Sequence, residues 1–123
     1  MKKILIIEDD KFLRDLMEKK LLNSDYEVVT AEDGSSGLEM VVSESPDLVL
    51  LDILLPTMSG WEVLAKLTQS PKTENVPVVL LTNLGDQNDI ERGLKLGVKD
   101  YIIKANFTPA EIVEKIKKCL GES

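Results

Sequence analysis

The chain has no histidine among its 123 residues, an absence that removes much of ordinary enzyme chemistry. Serine–histidine and cysteine–histidine catalysis are excluded, as are imidazole metal sites, which leaves carboxylates, lysine and hydroxyls as the reactive set. Cysteine occurs once, at Cys119, so no internal disulfide can form and a reducing compartment suits the chain. Nothing near Cys119 in the sequence would activate its thiol, and it is expected half-buried on a helix. Basic residues are outnumbered 15 to 22, and the net charge of −7 argues against nucleic-acid binding by the chain as a whole. No apolar run approaches the roughly 18 residues of a membrane span. The opening Met-Lys-Lys passes into a strand pattern with no small-residue cleavage site, so no signal peptide is expected and the predicted location is cytoplasmic.

Linkers, low-complexity tracts and internal repeats are also missing, which predicts a single domain over residues 1–123. A chain of this length buries about two-thirds of its unfolded surface, enough for one self-sufficient core. Its apolar fraction of 43% and charged fraction of 30% are ordinary for a globular protein.

What is present is an alternation. Strand-like runs fall near residues 3–8, 26–31, 47–51, 77–81 and 99–103. Between them lie stretches of helical period: Leu13, Leu16, Met17 and Leu21; Leu38, Val41 and Val42; Trp61, Leu64 and Leu67. A weaker helix is expected near residues 86–96, where Ile90 and Leu94 stand among Gly93 and Gly97. The last carries Val113, Ile116 and Leu120, with Pro109 in its first turn after Thr108. Strand and helix alternating five times predict an α/β fold: a doubly wound parallel sheet with helices on both faces.

Polar residues punctuate the strand ends. Glu8 and Asp9 follow Ile4–Ile7, Asp52 follows Leu48–Leu51, Thr82 follows Val78–Leu81, and Lys104 follows Tyr101–Ile103. Runs like these read as strands buried on both faces, and their carboxyl ends form the rim where open α/β sheets bind ligands. Clustered carboxylates repel unless a cation or proton joins them, which points to a hard divalent metal. If Asp9 and Asp52 share a metal, the first and third strands are neighbours. Right-handed crossovers then give the order 2-1-3-4-5, with the more polar second strand at an edge. Each residue also has an ordinary reading. Asp9 or Asp10 could cap the first helix, Asp52 could be a turn residue, Thr82 could cap the fourth helix, and Lys104 could be a solvated lysine.

Taken together, Ile-Glu-Asp-Asp at 7–10, Asp52 with Pro56 and Gly60 downstream, Thr82, and Tyr101 three residues before Lys104 resemble the receiver domain of bacterial two-component response regulators. The resemblance covers essentially the whole chain. It implies a flavodoxin-like fold of the 2-1-3-4-5 order and a phosphorylation-controlled switch rather than an enzyme acting on a separate substrate. Asp52 would accept a phosphoryl group from a histidine kinase or histidine phosphotransfer protein. Glu8, Asp9, Asp52 and the Leu54 backbone carbonyl would hold Mg²⁺. Thr82 and Lys104 would contact the acyl phosphate, Tyr101 would change rotamer, and the surface of the fourth helix, fifth strand and fifth helix would control a partner or output domain. A phosphorylation-dependent homodimer is within the family's range.

Three departures stand out. The family usually follows its lysine with a cis proline, whereas Lys104 is followed by Ala105, with Asn106 as an extra residue; a trans Lys104–Ala105 bond is expected, because a cis bond without proline costs about 2.5–4 kcal/mol. Asn83 follows Thr82 where small residues are common. Leu54 and Leu84, two residues beyond Asp52 and Thr82, are both apolar at positions that tune phosphoryl loss. Two further classes compete: a pseudo-receiver interaction module that is never phosphorylated, and a Mg²⁺-dependent phosphohydrolase with an aspartate nucleophile. The latter needs a second aspartate at the position of Leu54.

Overall fold

A computed structural model describes residues 1–83 and 87–122. Five parallel strands, β1 (Lys3–Ile7), β2 (Glu27–Ala31), β3 (Leu48–Asp52), β4 (Val78–Thr82) and β5 (Asp100–Ile103), form one sheet in the order β2-β1-β3-β4-β5. They alternate with α1 (Lys11–Leu22), α2 (Gly34–Glu44), α3 (Gly60–Thr68), α4 (Gln87–Lys95) and α5 (Pro109–Cys119). The strand order, the edge position of β2 and the flavodoxin-like architecture are those expected, and each strand lies within a residue or two of its predicted bounds.

Two apolar layers follow from the two-residue period of a strand. Leu5, Ile7, Val49, Leu51 and Leu80 face one side, where Val41 of α2 and Val63, Leu64 and Leu67 of α3 cover them. Ile4, Ile6, Leu48, Leu50 and Leu81 face the other, under Met17 and Leu21 of α1 and Ile112 and Ile116 of α5. Every residue of β3 is buried, and its apolar side chains, Leu48 to Leu51, stabilise by about 1.5–3 kcal/mol each. The exposed end of β2 at Glu27 marks it as an edge.

Three helix-face expectations are corrected. Leu16, Val42 and Leu94 are exposed at 37%, 56% and 48%. Each lies at the margin of its stripe, one residue from a position that does reach the sheet: Met17, Val41 and Gly93 are the buried neighbours. The fourth helix forms despite its weak signal, seated by Ile90 and Gly93, and ends before Gly97 at φ +97. The last helix starts as expected: Thr108 accepts from Glu111 N at 3.2 Å with Pro109 in the first turn. Cys119 is half-buried.

Candidate functional site

Parallel pairing of β1 with β3, Ile7 opposite Leu51, brings Glu8, Asp9 and Asp52 to one rim. A carboxylate oxygen from each lies within 4.8 Å of the others. Glu8 is fully buried and Asp52 is 2% exposed, while Asp9 faces solvent. The capping alternatives resolve cleanly. Asp10, not Asp9, caps α1, its Oδ1 accepting from Leu13 N at 3.1 Å, so the Asp9 carboxylate remains with the cluster. Thr82 completes β4 and is 1% exposed, whereas α4 begins at Gln87.

Lys104 is no solvated lysine. Its Nζ donates to Asp52 Oδ2 at 3.0 Å and lies 2.9 Å from Glu8 Oε1, the latter an ion pair off hydrogen-bond alignment. Glu8 Oε2 accepts from Asp10 N at 3.1 Å, and Asp52 Oδ1 accepts from Leu54 N at 3.3 Å. Burial raises the Glu8 pKa to about 7; the Lys104 ammonium works against that rise and the Asp52 carboxylate adds to it. Burial pulls the Lys104 pKa down, yet pairing with Glu8 and Asp52 outweighs it and leaves the value above normal. One ammonium thus pairs with two of three neighbouring carboxylates. The buried Thr82 Oγ1 has no hydrogen-bond partner among the described residues. Such an orphaned hydroxyl is costly unless a ligand completes it.

These groups fit a hard cation. Oxygen donors, excess negative charge and partial exposure through Asp9 match what Mg²⁺ requires, which is one or two carboxylates with room for water and a phosphate oxygen.

The surroundings agree with most of the remaining expectations. The Leu54 side chain is 65% exposed, with its amide on Asp52, and the exposed Asn83 lines a groove beside Lys104, while Leu84 lies outside the described residues. Lys104–Ala105 is trans; Asn106 N donates to Ile103 O at 3.3 Å, and Phe107 turns back onto the core beneath α5. Tyr101 is not part of the cluster. It is half-buried on β5, with the Lys115 ammonium 4.7 Å from its ring centre and bonded to its carbonyl. A cavity of about 630 Å³ lined by Met1, Tyr26, Asp47 and Glu122 sits by the amino ends of the strands, far from this chemistry.

Three residues escaped the sequence reading. Arg14 is 7% exposed, donating from Nη1 to the Glu8 carbonyl at 2.8 Å and from Nη2 to Glu32 at 3.2 Å. Its position three residues before Met17 on the buried stripe was the available signal. Asp33 caps α2, and the Asp-Gly pair after a strand is a readable cap. Thr57, bonded to Asp33 at 3.0 Å, left no signal at all.

The fold and the rim together define a doubly wound α/β domain whose acidic pocket, with a lysine bridging two of its carboxylates, lies at the switch point where such sheets bind ligands. The family profile described as "Response regulator receiver domain" matches residues 4–117, and the chain belongs to that family, the receiver domains of two-component signalling systems. It is 40% identical over 119 residues to "Probable transcriptional regulator ycf27" of Cyanophora paradoxa, covering 97% of this chain and 48% of that protein. It is 37% identical over 122 residues to the alkaline phosphatase synthesis transcriptional regulatory protein PhoP of Bacillus subtilis, covering 99% of this chain and 50% of that one. The chain therefore spans about half the length of the curated relatives it matches. The solved receiver domain of NtrX from Brucella abortus superimposes with a TM-score of 0.89 at 27% identity, over 98% of this chain and 99% of the other.

Proposed function

We propose that this chain is a phosphorylation-controlled switch that takes a phosphoryl group onto Asp52 with the aid of Mg²⁺. The observation that carries the reading is the buried Asp52 carboxylate, paired to Lys104 at 3.0 Å with Glu8 and Asp9 beside it. Glu8, Asp9, Asp52 and the Leu54 carbonyl would hold the cation. Bound there, Mg²⁺ would offset the carboxylate charge and that of the incoming phosphoryl oxygens.

The protein's own groups account for the rest. An Asp52 oxygen attacks the phosphorus of a phosphohistidine in line; the P–N bond breaks and its electron pair returns to the donor imidazole, leaving an acyl phosphate on Asp52. The Lys104 ammonium, fixed by two carboxylates, is placed to receive the phosphoryl oxygens. Thr82 Oγ1, buried and unpartnered, can donate to them once the group is in place. Drawing Thr82 toward the phosphoryl group would act on the adjoining β5, where the half-buried Tyr101 would change rotamer, and the change would reach α4, β5 and α5.

The donor would be a histidine kinase or a histidine phosphotransfer protein in the cytoplasm. A groove of about 530 Å³ lined by Phe12, Leu13, Leu16, Asn83, Lys104 and Phe107 opens beside the site, with Phe12 80% exposed, and offers it an apolar seat. The relatives' names support a transcriptional output. We read that output as acting through a further domain or partner, with a phosphorylation-dependent homodimer as one form and no nucleic-acid contact by this domain. The chain would catalyse only its own phosphorylation and dephosphorylation. A phosphohydrolase role is disfavoured because the position two past Asp52 is the apolar, outward-facing Leu54.

The test is incorporation of phosphoryl from acetyl phosphate. Labelling should require Mg²⁺, stop on chelation with EDTA, and resume when Mg²⁺ is restored; labelling unaffected by chelation would overturn the cation's role.

A further inference from the structure

The loop between β2 and α2 touches both loops that carry the carboxylates. On one side, Arg14 joins Glu32 to the Glu8 carbonyl, and Glu8 N donates to Ala31 O at 3.1 Å. On the other, Asp33 Oδ1 accepts from Ser36 N at 2.8 Å and from the Thr57 hydroxyl at 3.0 Å. Thr57 Oγ1 in turn accepts from Ser35 N at 3.1 Å, and Gly34 N donates to Pro56 O at 3.1 Å. The approach is close enough that a Cβ on Gly34 would stand 1.9 Å from the Met58 carbonyl oxygen.

Thr57 sits at φ +66, in the left-handed region. For a β-branched side chain this is a steric outlier that glycine or asparagine would relieve. Such strain persists only where surrounding contacts over-determine it, and it concentrates at functional sites. Here the contacts of the side chain are the two hydrogen bonds of the hydroxyl, donated to Asp33 and accepted from Ser35, beside backbone bonds from Gly34 N and Met58 N to Pro56 O. A glycine would take the same backbone shape and lose both.

We propose that Asp33 and Thr57 are positioning residues for the cation site: their hydrogen bond fixes the turn after β3, so that Asp52 and the Leu54 carbonyl are held in the arrangement a divalent cation requires. The inference rests on the cation reading above. Neither residue touches the cation. The turn runs from Asp52 through Leu54 to Thr57, and its far end is held to α2 at Asp33, whose helix is anchored in the sheet by Val41. Partners that orient a ligand-bearing segment in this way commonly tune metal affinity as strongly as weaker ligands do.

The variants separate positioning from simple capping. Thr57→Val keeps the β-branch and its strain but deletes the hydroxyl, and Thr57→Ser keeps the hydroxyl. Asp33→Ser keeps a capping oxygen for α2 yet is too short to reach Thr57. Mg²⁺ would be titrated into the full chain without phosphodonor, following the Leu54 amide by NMR, with the urea midpoint of the metal-free protein measured alongside. Thr57→Val and Asp33→Ser should each weaken Mg²⁺ binding about tenfold, and Thr57→Ser should stay within about twofold of the parent. The double variant Thr57→Val with Asp33→Ser should bind no more weakly than Thr57→Val alone, because the bond that Asp33→Ser removes is already gone in it. Mg²⁺ affinities of Thr57→Val and Asp33→Ser that match the parent's would overturn the proposal, whatever happens to the urea midpoint. Should Thr57→Val fail to fold, Asp33→Ser decides alone by the same criterion. A parent that takes up no Mg²⁺ overturns the cation reading itself, and this proposal with it.

Discussion

Lys104 and Asp52, 52 residues apart in sequence, meet through an Nζ–Oδ2 hydrogen bond of 3.0 Å at the rim of the sheet. The same ammonium lies 2.9 Å from Glu8, so a single side chain holds together two buried carboxylates that would otherwise repel. The metal-free site is therefore under electrostatic load, and its response to pH follows.

Glu8 has its pKa raised by burial to about 7 in the folded protein. A raised carboxyl binds its proton more tightly folded than unfolded. Its contribution to stability is complete below the ordinary carboxylate value near 4.5 and is lost as pH rises through about 7. The metal-free protein should lose on the order of 1–3 kcal/mol of unfolding free energy across that window. Mg²⁺ must displace the proton, so its affinity should fall as pH drops below about 7 and saturating Mg²⁺ should flatten the loss. Urea unfolding at a series of pH values, with and without Mg²⁺, measures both; a Glu8→Gln variant that keeps the full pH dependence would contradict the assignment.

Arg14 gives a stability prediction. Removing its guanidinium in Arg14→Met leaves the Glu8 carbonyl without its 2.8 Å donor in a buried setting. The loss should be about 1–3 kcal/mol by urea unfolding. Arg14→Lys should recover only part of it, since one ammonium cannot serve Glu8 and Glu32 with the fork geometry of arginine. A neutral Arg14→Met would mean that water replaces the bond at no cost.

The lifetime of the phosphorylated state should be set at the mouth of the site. Hydrolysis needs a water held in line with phosphorus on the side opposite Asp52, and the exposed Leu54 side chain can neither orient nor bond it. Giving that position and its companion polar groups, as Leu54→Asn with Leu84→Glu, should speed phosphoryl loss by about an order of magnitude or more. Decay would be followed after removal of the donor with Mg²⁺ in excess. If the double variant decays no faster than the parent, apolar flanking does not set the lifetime.

What could be read in advance divides along physical lines. The strands were legible because burial on both faces leaves an unbroken apolar run, and β3 is buried at every position. Their polar ends then located Glu8, Asp52, Thr82 and Lys104 without further help. Helix faces were less legible: Leu16 and Val42 satisfy the period as well as their buried neighbours, and only packing decides between adjacent stripe positions. Asp9 and Asp10 could not be told apart as cap or ligand until the Leu13 amide was seen to point at Asp10. Arg14 was hidden because a buried guanidinium depends on partners on other elements, here the Glu8 carbonyl and Glu32. Thr57 was hidden because nothing about threonine announces a positive φ.

The acceptor role of Asp52 is tested most directly by mapping the site of modification. The protein would be incubated with acetyl phosphate and Mg²⁺, its intact mass taken, and the acyl phosphate then reduced with borohydride, which expels phosphate and leaves homoserine where the aspartyl phosphate stood, so that peptide mass spectrometry locates the residue. The account predicts one phosphoryl group per chain by intact mass, conversion of Asp52 to homoserine on reduction, and neither in Asp52→Asn. Undiminished incorporation in Asp52→Asn, or homoserine formed at another carboxylate, would contradict it.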